Sequence, residues 1–191
     1  MTRNPLAAWL LSALAVASAP AVANQRGNAV ANPDALTQQD FRKRIDAYIA
    51  LRVDALKGVG PLKPTADPAE IAAGQRTLAE RITAARSDAK PGDIFTPEIS
   101  RRFRELLAPQ LKGESGRDAR AIVKDDAPPA VPFKVNAPYP QGKSFPTVPA
   151  AMLVNLPPLP KQVEYRIIDK HLILRDTEAN VIVDFMLNAI R

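Results

Sequence analysis

A stretch dense in proline limits what this chain can fold into more than any other feature. Ten of its 19 prolines fall within residues 127–161. Because proline fixes φ and lacks a backbone N–H, this stretch can form neither a long helix nor a central strand. Apolar residues are interleaved with the prolines, so a strap packed over the rest of the fold is as compatible with the pattern as a free linker.

The residues before this stretch have helical periodicity. Apolar side chains recur at three- and four-residue steps after Thr37, Asp67 and Thr96, which are all good helix-capping residues. The predicted helices span about 37–57, about 67–88, from Thr96-Pro97 to a break or kink at Pro109, and a short segment near 116–124.

Three of these helices have an apolar stripe, and that of the third contains Ile99, Phe103, Leu106 and Leu107. In the first, the stripe contains Phe41, Ile45, Tyr48, Ile49, Val53 and Leu56. In the second, it contains Ile71, Leu78, Ile82 and Ala85. We expect all three stripes to face the core.

Three runs rich in Val, Ile and Leu follow the proline-rich stretch, at 163–168, 171–176 and 181–186. They predict a three-stranded antiparallel meander, and therefore an α+β fold. Strict alternation places Phe185 on one face with Val183, and Met186 on the other face with Ile182. Both faces are apolar, so either both are covered or one is an adhesive surface.

The N-terminus has the features of a secretory signal. Arg3 precedes an apolar run over 6–17, and Ala21-Val22-Ala23 fits the small-x-small cleavage rule. The run of about 12 residues is too short to span a bilayer. We expect cleavage near Ala23 and a periplasmic or secreted mature protein without a transmembrane helix.

The predicted organisation has five segments. They are a signal peptide over 1–23, a flexible N-terminus over 24–36, a helical region over 37–126, a Pro-rich strap or linker over 127–161, and a β-meander over 162–191 that packs on the helices.

Two parts of the chain resemble a family of exported bacterial proteins that has no assigned activity. The first is Ala84-Ala85-Arg86 with Lys90-Pro91-Gly92-Asp93-Ile94-Phe95-Thr96-Pro97, and the second includes Leu156-Pro157-Pro158-Leu159-Pro160 and most of the strand region. The resemblance implies an exported bacterial protein and assigns no catalytic residue.

The composition excludes several kinds of site. The chain has no Cys, which removes disulfides, thiolate metal sites and cysteine nucleophiles. Its one His removes multi-histidine metal sites. Neither a P-loop, a dinucleotide-binding glycine motif nor Gly-x-Ser-x-Gly occurs. We therefore expect no metal and no cofactor.

Three residues are weak catalytic candidates. Asp176 and Asp184 lie at strand ends, where they could form a carboxylate pair for acid–base chemistry or for a hard cation. The favoured interpretation is that Asp176 accepts backbone N–H groups of a turn. His171 could act as a general base, but a surface position at the start of a strand is the favoured interpretation.

Residues 92–97 join two of the predicted helices. They could form a recognition loop with Phe95 as an anchor. The favoured interpretation is structural: Ile94 and Phe95 fill the helix junction and Thr96 caps the next helix.

Two small basic clusters occur, at Arg42-Lys43-Arg44 and at Arg101, Arg102 and Arg104. The formal net charge is +6, but basic and acidic residues are interspersed. No basic stripe with aromatic residues is present, so we expect no nucleic-acid partner and favour solvated helix faces.

The leading functional hypothesis is a non-catalytic binding or structural module of the envelope. Its partner would be an envelope protein or an anionic envelope component, and Phe133, Tyr139 and Phe145 are the expected binding anchors. One alternative is a hydrolase of envelope polymers that uses Asp176 and Asp184. Another is a basic protein that associates with the anionic envelope surface.

Overall fold

A computed structural model describes residues 32–58, 65–112, 116, 133–140 and 153–190. These residues form three helices and, in the C-terminal region, a three-stranded antiparallel sheet, so the α+β prediction is confirmed. The helices are α1 (Pro33–Ala55), α2 (Pro68–Ala85) and α3 (Pro97–Leu107), and a 3-10 turn (Ala108–Leu111) follows α3. The strands are β1 (Val163–Ile168), β2 (His171–Asp176) and β3 (Ile182–Met186).

Each helix begins with a polar cap followed directly by proline. The side chains of Asn32, Asp67 and Thr96 accept hydrogen bonds from backbone N–H groups of the first turns, at 3.0, 2.8 and 3.3 Å. Proline suits the next position because its missing N–H would have no partner inside the helix.

The predicted start of α1 was wrong by one turn. The segment 24–36 was expected to be flexible, yet the helix already begins at Pro33 with Asn32 as its cap. Thr37, the predicted cap, instead donates its hydroxyl to the carbonyl of Pro33. The break predicted at Pro109 is confirmed, since α3 gives way to the 3-10 turn there. The fourth predicted helix lies almost entirely outside the described residues.

The buried face of α1 contains a charged residue. Its buried positions are Phe41, Ile45, Tyr48 and Arg52, at steps of four, three and four. Val53, which was predicted to belong to this stripe, is 55% exposed. The sequence pattern ranked Val53 above Arg52 by hydrophobicity, but a buried arginine is tolerated where it meets an acidic partner. In α2, Ile71 is likewise exposed rather than buried.

The sheet has the order β1-β2-β3, and both connections are short turns. Asp169 in the first turn and Asn180 in the second have φ values of 51° and 54°. Asp and Asn tolerate this left-handed conformation better than most residues. The prediction of Asn180 as the left-handed residue of its turn is therefore confirmed.

A β-bulge interrupts the pairing of β2 with β3. Leu174 lies opposite Asp184, whereas the next residue, Arg175, lies opposite Ile182, so Val183 is an extra residue. The extra residue reverses the alternation beyond it. Phe185 therefore lies opposite Ile173, and the predicted faces of Phe185 and Met186 were both wrong.

Both faces of the sheet are covered. The helices pack on one face, which we call the helix face. The other, outer face contains Ile168, Ile173 and Ile182 with Phe185, and Phe133 and Tyr139 pack on it.

The segment 133–140 also runs along the edge of β3. Asn136 donates its N–H to Ile182, which donates its own N–H to Ala137, both at 2.9 Å. This part of the proline-rich stretch is thus a packed strap. It protects an edge that would otherwise expose unpaired backbone groups.

Four aromatic rings lie at the centre of the helix-face core. The ring of Phe103 is 4.9 Å from that of Phe41, 5.5 Å from Phe95 and 6.0 Å from Tyr165. These rings join α1, the loop before α3, α3 and β1. None of the described helices combines the length and the apolar character needed to cross a membrane.

We expect Phe103→Ala to lower the free energy of unfolding by about 3–5 kcal/mol, because it leaves a cavity among these rings. Urea unfolding followed by circular dichroism measures the loss. The control Val53→Ala, at an exposed site of α1, should change it by less than about 0.5 kcal/mol. Equal losses in the two variants would contradict the placement of Phe103.

Candidate functional site

Asp184 is completely buried and accepts four hydrogen bonds, all from backbone N–H groups. Oδ1 accepts from Gly92 and Phe185 at 2.9 and 2.8 Å. Oδ2 accepts from Ile94 and Phe95, both at 2.8 Å. A cluster of N–H groups of this kind is an anion-binding nest, and here the anion is a side chain of the protein itself.

The loop that surrounds Asp184 has the structure favoured from its sequence. Gly92 has φ of 89°, a conformation that turns the chain and favours glycine. Ile94 and Phe95 are 4% and 3% exposed, and the Thr96 hydroxyl caps α3. Phe95 therefore fills the helix junction and is not available as a recognition anchor.

Asp176 is the second completely buried carboxylate. Oδ1 accepts the backbone N–H groups of Glu178 and Ala179 at 3.0 and 2.8 Å, as predicted for a turn. Oδ2 accepts from the Tyr48 hydroxyl at 2.8 Å and from Arg52 Nε at 2.7 Å. Asp176 thus ties the turn after β2 to α1.

Arg52 and Tyr48 both remain protonated in this contact. Burial alone would lower the pKa of Arg52, but Asp176 and Glu178 more than offset it and raise that pKa above its usual value. Burial, and then Asp176, raise the pKa of Tyr48. A charged arginine and a neutral phenol are both donors, which is what a buried carboxylate requires.

The two aspartates hold different parts of the fold. Asp184 faces the loop before α3, whereas Asp176 faces α1 and its own turn. Each has its oxygens occupied by donors of the chain. Within the described residues, no group of three or more His, Asp and Glu side chains is placed to hold a metal ion.

His171 begins β2, as its sequence position suggested, and contacts the C-terminal turn. Its Nδ1 accepts the backbone N–H of Asn188 at 3.1 Å, and its ring packs against Phe133 at 5.4 Å. Burial lowers the pKa of His171, and Lys170 adds to this effect while Asp169 opposes it. A neutral imidazole can accept the hydrogen bond from Asn188 at Nδ1, so His171 connects β2 to the C-terminal turn.

The aromatic residues expected to be binding anchors point inward where they are described. Tyr139 is 5% exposed, and the Arg175 guanidinium lies 4.9 Å from its ring. Phe133 is half-buried and packs on Phe185 at 5.7 Å. These two side chains cover the outer face of the sheet, and their capture of a partner stays a prediction. Phe145 lies outside the described residues.

Several side chains of the two basic clusters form ion pairs or hydrogen bonds on the protein surface. Arg101 pairs with Glu105, and Arg104 donates to the carbonyls of Leu187 and Asn188. Arg42 and Lys43 are exposed on α1, in a neighbourhood that also contains acidic residues. The favoured interpretation as solvated helix faces agrees with these contacts.

A cleft of about 460 Å³ opens between α1, the end of α2 and the loop that follows α2. Its apolar wall includes Ala47, Leu51 and Ile94. Its polar part includes Arg44, Arg86, Asp88 and Asp93, and the ring of Tyr48 also lines it. The sequence did not reveal this cleft, because its lining segments, within 44–51, 85–89 and 93–94, are brought together only by the tertiary structure.

Arg86 differs from Arg44, which also lines the cleft, because Arg44 pairs with a carboxylate, that of Asp40. Arg86 Nη1 donates to the carbonyl of Val183 at 3.0 Å, and its guanidinium lies 5.2 Å from the Tyr48 ring centroid. No carboxylate of the described residues lies within 4.0 Å of it. Burial lowers the pKa of Arg86, and nearby negative groups only partly compensate.

Comparison with protein-family models, with curated proteins and with solved structures finds no match for this chain. Its function must therefore be inferred from the geometry of its own residues.

We expect Asp184→Asn to lower the free energy of unfolding by about 3 kcal/mol, because the amide NH₂ would face backbone donors and leave them unsatisfied. Urea unfolding measures this change. Asp46→Asn, on the exposed face of α1, is the matched control and should be nearly neutral. A fully stable Asp184→Asn variant would show that the nest does not hold the loop.

Stability should also depend on His171 at mildly acidic pH. Because the folded state lowers the pKa of His171, the unfolded state binds more protons, and stability falls as pH drops below about 6.5. Unfolding free energies at pH 7.5, 6.5 and 5.5 test this. His171→Asn should flatten the dependence in this range, and an unchanged dependence would assign it to other groups.

Proposed function

We propose that this chain is an exported bacterial protein that acts in the envelope as a non-catalytic binding module. The observation that carries the proposal is the use of both candidate catalytic carboxylates, Asp176 and Asp184, as buried acceptors for the protein's own donors. The cleft beside Arg86 leaves a surface on which a ligand can be held.

The burial of these aspartates weighs against the hydrolase alternative. A general acid or base must come within hydrogen-bond distance of its substrate, about 2.6–3.2 Å. Both side chains are completely buried, and their oxygens already accept short hydrogen bonds. Acid–base chemistry at either site would require α1 or the loop before α3 to leave the sheet.

The cleft favours binding over a purely structural role. Clefts of roughly 300–1,000 Å³ with apolar walls and a few polar groups are typical of small-molecule sites. This cleft has that size and lining, and hydrogen bonds to the sheet fix two of its side chains, Tyr48 and Arg86.

The proposal of export rests on the N-terminal sequence pattern, and signal-peptide cleavage in cells tests it. Expressed with a C-terminal tag in a Gram-negative bacterium, the chain should be recovered from the periplasmic fraction or the medium with Asn24 as its first residue. Ala23→Phe should block cleavage, because the site requires a small residue. The matched control Ala19→Phe, outside the small-x-small site, should leave cleavage unchanged.

Three outcomes would contradict the proposal. An uncleaved chain found in the cytoplasm would contradict the proposal that the protein is exported. Release of the chain from membranes by moderate salt would favour the alternative of electrostatic association with the anionic surface. Turnover of an envelope polymer that is lost in a folded Asp184→Asn variant would favour the hydrolase.

A further inference from the structure

The guanidinium of Arg86, which lines this cleft, is only partly hydrogen-bonded. Only its Nη1 has an acceptor among the described residues. The other guanidinium nitrogens are not sealed from solvent, and they belong to a side chain that lines the cleft. A half-buried cation without a carboxylate partner favours an anion from outside the chain.

The position of Arg86 is fixed from three sides. The carbonyl of Val183 accepts from Nη1, the Tyr48 ring lies beneath the guanidinium, and Asn136 donates its Nδ2 to the backbone carbonyl of Arg86 at 3.0 Å. Tyr48 is itself held by Asp176. A ligand would therefore meet a preorganised cation and lose little affinity to ordering it.

The rest of the lining limits the charge of the ligand. Asp88 and Asp93 also line the cleft, and Arg44 is already paired with Asp40. A multiply charged anion such as a polyphosphate would be repelled by the two aspartates. A single negative charge can contact Arg86, while an apolar body contacts Ala47, Leu51 and Ile94.

We propose that this cleft binds a small organic monocarboxylate with an apolar body, and that Arg86 binds its carboxylate. The inference deepens the binding part of the proposed function and does not depend on export. The two can fail separately, because binding is measured on purified protein and export is measured by processing in cells.

The direct test is an NMR titration of the ¹⁵N-labelled full-length chain with hexanoate at constant ionic strength. Saturable shifts should be confined to the Arg86 Nε–H and to backbone amides within 44–51 and 85–94, with a Kd of about 1 mM. Hexanol has a similar apolar chain without the charge, and inorganic phosphate has charge without an apolar body. Each should bind at least about tenfold more weakly than hexanoate.

Three variants assign the effect to the guanidinium. Arg86→Gln should weaken hexanoate binding about tenfold or more, to the level of hexanol. Arg86→Lys keeps the charge and should bind with an intermediate Kd, because it loses the fork geometry. Arg81→Gln, at an exposed site of α2 that does not line the cleft, should leave the Kd unchanged.

The wild-type titration keeps the proposal falsifiable even if Arg86→Gln fails to fold. Shifts that do not saturate, that map to another surface, or that are equal for hexanol and hexanoate would overturn it. Unchanged hexanoate binding in a variant whose amide spectrum remains native-like would also overturn it.

Discussion

Two buried carboxylates of the sheet, Asp176 and Asp184, hold the helical elements of this protein in place. Removing a carboxylate from water costs several kcal/mol unless its oxygens are fully hydrogen-bonded. Each of these carboxylates accepts four hydrogen bonds, which offset that cost. The donors belong to α1, to the loop before α3, to the turn after β2 and to β3 itself, so the placement of α1 and of this loop against the sheet depends on the two side chains.

The bulge in β3 makes one of these contacts possible. With regular alternation, Val183 and Asp184 would point to opposite faces, and the carboxylate would face away from the helices or displace a core residue. The extra residue lets Val183 pack in the helix-face core while Asp184 lies opposite Leu174 and faces the loop. The outer face then needs its own cover, which Phe133 and Tyr139 of the strap supply.

The cleft is built from the same contacts. Tyr48 is positioned by Asp176, Arg86 donates to the carbonyl of Val183 at the bulge, and Ile94 belongs to the loop that Asp184 holds. The Tyr48 and Arg86 side chains are therefore fixed before a ligand arrives. Binding sites benefit from supporting hydrogen bonds of this kind, because precise side-chain positions reduce the cost of association.

The sequence by itself determined the helices, the meander and the structural use of residues 92–97, because caps, prolines and periodic apolar residues act locally. It did not reveal the helical start at Pro33, since Asn32-Pro33-Asp34 reads equally well as a turn. Only the tertiary structure decided that Arg52 rather than Val53 is buried, and that Phe185 and Met186 exchange faces. It alone assembled the cleft around Arg86. The burial of Arg52 and the position of Arg86 depend on contacts between residues about 90 to 130 positions apart, for which a single sequence has no local signal. The exchange of faces depends on the bulge between β2 and β3, which strict alternation does not predict.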